Sequence, residues 1–228
     1  MVATRLVLIL ASLATGVAGG AAELAEPAPP RPAAGQVRIV AEKMCCKGCA
    51  QRVSGQLYTV KGVKSVEVDL ASRVLTVSVP QETPKALGAI WHAVQQGDGG
   101  PATLATHTTT YRLVSLEEGQ KQGAHAGSLR IVIDNLHCTG CAQKIASRLY
   151  TIKGVTKVQV DMQANTLLVT ARPGSLSSPW PAVAAVADAK ERAVSVSGEF
   201  GVLAIEYSEA AAVKTHQAQH ANPGGARR

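Results

Sequence analysis

Aromatic side chains are scarce in this chain: one Phe, two Trp and four Tyr in 228 residues. Any core must therefore be built from Val, Ile, Leu and Ala. The same scarcity argues against binding of single-stranded nucleic acid, which relies on stacking bases on aromatic faces. The main apolar run, residues 6–18, is too short for a comfortable transmembrane span. Acidic residues are also in deficit, 16 Asp and Glu against 23 Lys and Arg, for a net charge of +7. Basic charge alone supports only non-specific attraction to nucleic acid and suits an acidic protein partner equally well. Apolar residues make up 46% and charged residues 17%, which excludes a wholly disordered chain.

The N-terminus has the layout of a secretory signal: Arg5, the apolar run, then Gly19, Gly20, Ala21 and Ala22. It predicts a signal peptide over residues 1–22, cleaved after Ala22, and a periplasmic or secreted protein with no stable membrane insertion after cleavage. An uncleaved anchor is the alternative. No Cys lies near the cleavage point, which argues against a lipid anchor made there. Residues 23–35 are Pro-rich and read as an extended linker.

An internal repeat organises the rest. Residues 36–79 match residues 128–171 without a gap, at the constant offset of 92 that separates Cys46 from Cys138. About two positions in five are identical, far above chance for a gapless stretch. Leu57-Tyr58-Thr59-Val60-Lys61-Gly62-Val63 recurs as Leu149-Tyr150-Thr151-Ile152-Lys153-Gly154-Val155, and Trp91 recurs as Trp180 at an offset shortened to 89. In each copy Val37, Ile39 and Ala41, or Leu129, Ile131 and Ile133, alternate as in a half-buried strand. Ala50, Val53, Leu57 and Val60 follow at helical spacing, as do Ala142, Ile145, Leu149 and Ile152. Gly62 and Gly154 are expected to close these helices. A hairpin pattern comes next, Val66-x-Val68-x-Leu70 then Leu75-x-Val77-x-Val79.

Thr83-Pro84 can cap and open a second helix that Gly97 closes, with residues 178–181 in the same role in the second copy. The final stretches, 103–114 and 194–207, are long for single strands, and either could fold into an extra hairpin. The order βαββαβ predicts an α+β fold: two tandem ferredoxin-like domains, each an antiparallel four-stranded sheet with two helices. The expected boundaries are 36–116 and 129–207, with a linker at 117–128 and a disordered tail at 208–228. Trp91, Trp180, Tyr58 and Tyr150 are expected in the core or in grooves.

Cys46-Lys47-Gly48-Cys49 and Cys138-Thr139-Gly140-Cys141 fall where the first strand of each copy meets its first helix. A helix N-terminus favours thiolate over thiol, and paired thiolates select soft ions such as Cu(I) and Zn(II). Two such pairs in register within a duplicated βαββαβ unit form a specific signal. The segments Met44-Cys45-Cys46-Lys47-Gly48-Cys49 and Leu136-His137-Cys138-Thr139-Gly140-Cys141 resemble the Met-x-Cys-x-x-Cys loop of heavy-metal-associated domains, which occur in copper chaperones, metal-transporting ATPases and periplasmic mercury-binding proteins. The resemblance implies that Cys46, Cys49, Cys138 and Cys141 are the metal ligands and that Met44 packs beneath its loop. It also implies binding rather than catalysis, with Cu(I) favoured and Zn(II), Cd(II) or Hg(II) open.

Two departures from the motif bear on the metal. Cys45 offers a third sulfur, and His137 offers a nitrogen where Leu136 replaces the usual Met; each is a candidate auxiliary ligand or a bystander. Basic residues near the loops, Lys47, Arg52, Lys61 and Lys64, then Lys144, Arg148, Lys153 and Lys157, either form a solvated surface or, as the resemblance to copper chaperones implies, dock an acidic partner such as a metal-transporting ATPase domain or a cuproprotein. His216 and His220 lie in the polar tail, and His92, His107 and His125 have no evident partners. Two alternatives stay open: a thiol–disulfide redox protein, and an interaction module whose Cys pairs are oxidised.

Overall fold

A computed structural model of the protein describes residues 31–114 and 127–208. The expected signal peptide, most of both linkers, His125, His216, His220 and nearly all of the tail lie outside the described residues. The first copy runs β1 (Gln36–Ala41), α1 (Lys47–Tyr58), β2 (Ser65–Asp69), β3 (Val74–Ser78), α2 (Pro84–Gln96), β4 (Pro101–Ala105) and β5 (Thr109–Val114). The second runs β6 (Ser128–Ile133), α3 (Thr139–Leu149), β7 (Val155–Asp161), β8 (Thr166–Ala171), α4 (Trp180–Asp188), β9 (Ala193–Gly198) and β10 (Gly201–Tyr207).

The expected four-stranded sheets need correction, because each copy contributes five strands to one shared sheet. Both long terminal stretches fold into hairpins, β4–β5 and β9–β10. The first turns on Thr106, whose buried hydroxyl accepts the amides of Thr108 and Thr109. The extra strands β5 and β10 then pair antiparallel with each other, from Thr109 opposite Tyr207 to Val114 opposite Val202. The result is a ten-stranded sheet in the order β2-β3-β1-β4-β5-β10-β9-β6-β8-β7. That order reads the same from both ends once each strand is exchanged for its repeat, so a pseudo-twofold relation passes between β5 and β10. All described residues belong to one compact unit.

The helices cover one face. Val37, Ile39, Ala41, Leu75 and Val77 meet Ala50, Val53 and Leu57 of α1, and the equivalent residues do so in the second copy. At the centre α2 packs on α4. There Trp91 and Trp180 are both buried, with ring centroids 5.7 Å apart, and Tyr111 of β5 lies 5.0 Å from Trp180. A side chain on Gly88 would come within 2.7 Å of Trp180 Cβ, so glycine lets the two helices close on each other. Gly97 acts likewise: its φ is −75°, and the reason for glycine is the Val53 backbone, 2.6 Å from where a Cβ would stand.

Local signals held in part. Gly62 and Gly154 have φ of +99° and +94°, as expected, although the helices end a few residues earlier. Thr83 caps α2 through its hydroxyl. Pro179 at the start of α4 makes no side-chain cap, and Ser178 accepts the Trp180 amide only at 3.5 Å. Tyr58 and Tyr150 are not core residues: they are 57% and 52% exposed. Each lies over an edge strand, its hydroxyl accepting the amide of Val66 or Val158. His107 pairs with Glu82 at 2.7 Å, and His92 contacts Gln96 at 3.1 Å.

Candidate metal centres

Each Cys loop is held from beneath by backbone hydrogen bonds. After β1, Glu42 and Lys43 donate to the carbonyls of Gly100 and Gly99, and Met44 donates to Ala41. Met44 is fully buried, so its thioether serves packing. In the second loop Asp134 donates to the Arg192 carbonyl, Leu136 donates to the Asn165 side chain, and Leu136 is buried in the place of Met44.

The first cysteine of each pair is itself the helix N-cap. Cys46 has extended backbone angles (φ −152°, ψ 164°), and its sulfur accepts the Cys49 amide at 3.3 Å. The Cys138 sulfur accepts the Cys141 amide at 2.9 Å. Ser, Thr, Asp and Asn usually fill this position. A sulfur there lies against the positive end of the helix, where negative charge is favoured.

In the first loop the sulfurs of Cys45, Cys46 and Cys49 all lie within 4.8 Å of one another. The Cys46–Cys49 separation is 2.9 Å and the Cys45–Cys49 separation 3.9 Å. Cys49 is held below the ordinary thiol range, first by its hydrogen bond with Cys46, then by the Cys45 backbone and the charge of Arg52. The Arg52 guanidinium reaches to 3.7 Å from Cys49 Sγ. Cys45 is pushed up by its hydrogen bond with Cys49 and by the charge of Cys49 and Cys46. This trio is a compact all-sulfur donor set, open to solvent on one side, suited to a soft cation.

The second loop differs in state and donors. Cys138 and Cys141 are joined as a disulfide, with Cα atoms 5.3 Å apart. Two electrons must enter before this pair can offer thiolates. A His137 ring nitrogen lies within 4.8 Å of both sulfurs, giving an S₂N set once the pair is reduced. Glu191 stands close enough for the charges of His137 and Lys144 to act on its carboxyl, which burial pushes up. Glu191 carried no signal in the sequence. The Arg52–Cys49 contact could have been read from their spacing of three on a helix.

The model of the heavy-metal-associated domain matches residues 39–96 and 130–191, just over half of the chain and one match in each copy. The chain belongs to the heavy-metal-associated domain family. Among curated relatives, human copper-transporting ATPase 2 is 26% identical over 165 residues, which span 63% of this chain and 11% of the ATPase. The Arabidopsis thaliana heavy metal-associated isoprenylated plant protein 8 is 28% identical, over 55% of this chain and 50% of that protein. The chain thus spans half or less of these relatives. The water-soluble region of the P-type ATPase CopA from Bacillus subtilis aligns over 72% of this chain and 90% of its own, at 22% identity and a TM-score of 0.29.

Proposed function

We propose that this heavy-metal-associated protein is an exported carrier or buffer of a soft metal ion, held by Cys46 and Cys49 in one loop and by Cys138 and Cys141 in the other. The observation that carries this reading is the cluster of three sulfurs at the start of α1, recurring as a Cys pair with His137 at the start of α3. Cu(I) is the favoured ion: the donors are soft, the loops are open enough for ligand exchange, and the relatives include copper-transporting ATPases. Cys45 makes the first site a three-sulfur site. His137 gives the second a nitrogen and more room for Zn(II).

Export to the periplasm or beyond rests on the pattern at residues 1–22. No helix among the described residues is long and apolar enough to cross a membrane. The ion passes to its acceptor by stepwise exchange of thiolates between exposed loops. Arg52 and Lys47 beside the first loop favour an acidic acceptor, such as a metal-transporting ATPase domain or a cuproprotein. This is binding rather than catalysis.

The test is a competitive titration of the reduced, signal-less protein with Cu(I) and with Zn(II). Two tight Cu(I) equivalents, one of them lost in the Cys46→Ser/Cys49→Ser variant, are expected. Unchanged stoichiometry in that variant sinks the ligand assignment. A second reading, thiol–disulfide exchange, is favoured by the Cys138–Cys141 disulfide. There a partner dithiol would give up two electrons and two protons, forming its own disulfide as Cys138 and Cys141 become thiols. Rapid reduction of the protein by a thioredoxin-type dithiol, with no tight metal binding, would put that reading first.

A further inference from the structure

The shared sheet fixes the direction in which each Cys loop opens. Every neighbouring pair of strands is antiparallel, and β1 is five steps from β6 in the sheet order. An odd number of reversals makes β1 and β6 run in opposite directions. The two loops follow the C-terminal ends of these strands, so they lie at opposite ends of the sheet's strands. Five interstrand spacings also separate them sideways by about 24 Å. One soft ion holds its sulfurs within a sphere of roughly 2.3 Å radius, so no single ion can reach both loops.

The seam between the copies gives little freedom to change this. Six consecutive residue pairs join β5 to β10. Leu104, Tyr111, Leu203 and Ile205 place both sides of the seam in one continuous core, and Trp91 and Trp180 lock the helices above it.

From this we infer that the protein is a two-ended carrier: its Cys loops load separately at opposite strand ends of one rigid sheet, never share an ion, and can face two thiolate-bearing partners at once. The inference rests on the metal-holding reading for its chemistry and on strand topology for its geometry, and the two can be tested apart. For the geometry, nitroxide labels are placed on Cys46 and Cys138 in a full chain carrying Cys45→Ser, Cys49→Ser and Cys141→Ser, and their separation is measured by pulsed electron spin resonance. A single distribution centred beyond about 24 Å is expected. A population below about 15 Å would overturn the inference, since the loops would then approach each other.

For the chemistry, the reduced wild type is titrated with Cu(I) beside the Cys46→Ser/Cys49→Ser and Cys138→Ser/Cys141→Ser variants. Independent loading predicts two equivalents, each within about threefold of the matching single-site variant. A first equivalent held more than about tenfold tighter than in either variant would show an ion bridged between loops and overturn it. If the wild type and both variants all fail to bind Cu(I), the metal reading fails, and the spin-label distance still decides whether the loops diverge. Binding by the wild type alone would show a bridged ion and overturn the inference.

Discussion

Trp180 is where the junction of the two copies can be weighed. Its ring is buried against Trp91 and Tyr111, while its indole N–H has no hydrogen-bond partner among the described residues. Truncating a buried Trp to Ala ordinarily costs about 3–5 kcal/mol. An orphaned buried donor already costs the native state about 1–3 kcal/mol, and truncation returns that penalty. Trp180→Ala should therefore fall near the low end, about 3 kcal/mol, a loss of about 6–12 °C in Tm for a folded region of this size. Trp180→Phe removes the orphan donor and keeps a ring in place, so it should cost less than about 1 kcal/mol. Denaturant unfolding followed by far-ultraviolet circular dichroism measures both. A near-neutral Trp180→Ala, or a Trp180→Phe that costs more than about 2 kcal/mol, would refute the reasoning. The first result would mean the junction is not packed, and the second that the N–H is engaged.

Three further outcomes are expected. Gly97→Ala should destabilise by about 1–3 kcal/mol in the same assay, because its methyl group meets the Val53 backbone; a neutral result would mean α1 and α2 are further apart than described. Tyr58→Phe and Tyr150→Phe should each cost about 0.5–1.5 kcal/mol, and by similar amounts, since each loses one hydroxyl acceptor for an edge-strand amide. Cys49 has a lowered pKa, so its thiolate forms at lower pH than that of an ordinary cysteine. Its alkylation should half-saturate below the usual thiol range and ahead of Cys45, and Arg52→Ala should move that midpoint upward. Mass-resolved alkylation across pH would show this, and an unmoved Cys49 midpoint would remove Arg52 from the account.

Much of each copy was legible because period and punctuation agree. Val37, Ile39 and Ala41 alternate where β1 buries alternate residues, and Thr83-Pro84 opens α2 where the cap is found. The Cys loops were legible for the same reason, as they fall between a period-2 and a period-3.6 segment. The seam was not legible. Residues 109–114 and 201–207 read as ordinary strands, and nothing local says that they pair with each other across roughly ninety positions. Tyr58 and Tyr150 misled because a ring on a helix reads as core, whereas a phenol can lie over an edge strand and cover its unpaired amides. The disulfide of Cys138 and Cys141 was open as a possibility only, because the same residues serve as thiolates or as a disulfide according to their surroundings.

X-ray absorption at the copper edge tests the central claim most directly, on the reduced chain carrying one and then two equivalents of Cu(I). Capture by the Cys loops predicts sulfur in the first shell at both loadings, with no copper neighbour even when both sites are filled. A first shell of nitrogen and oxygen alone would contradict capture by Cys46, Cys49, Cys138 and Cys141.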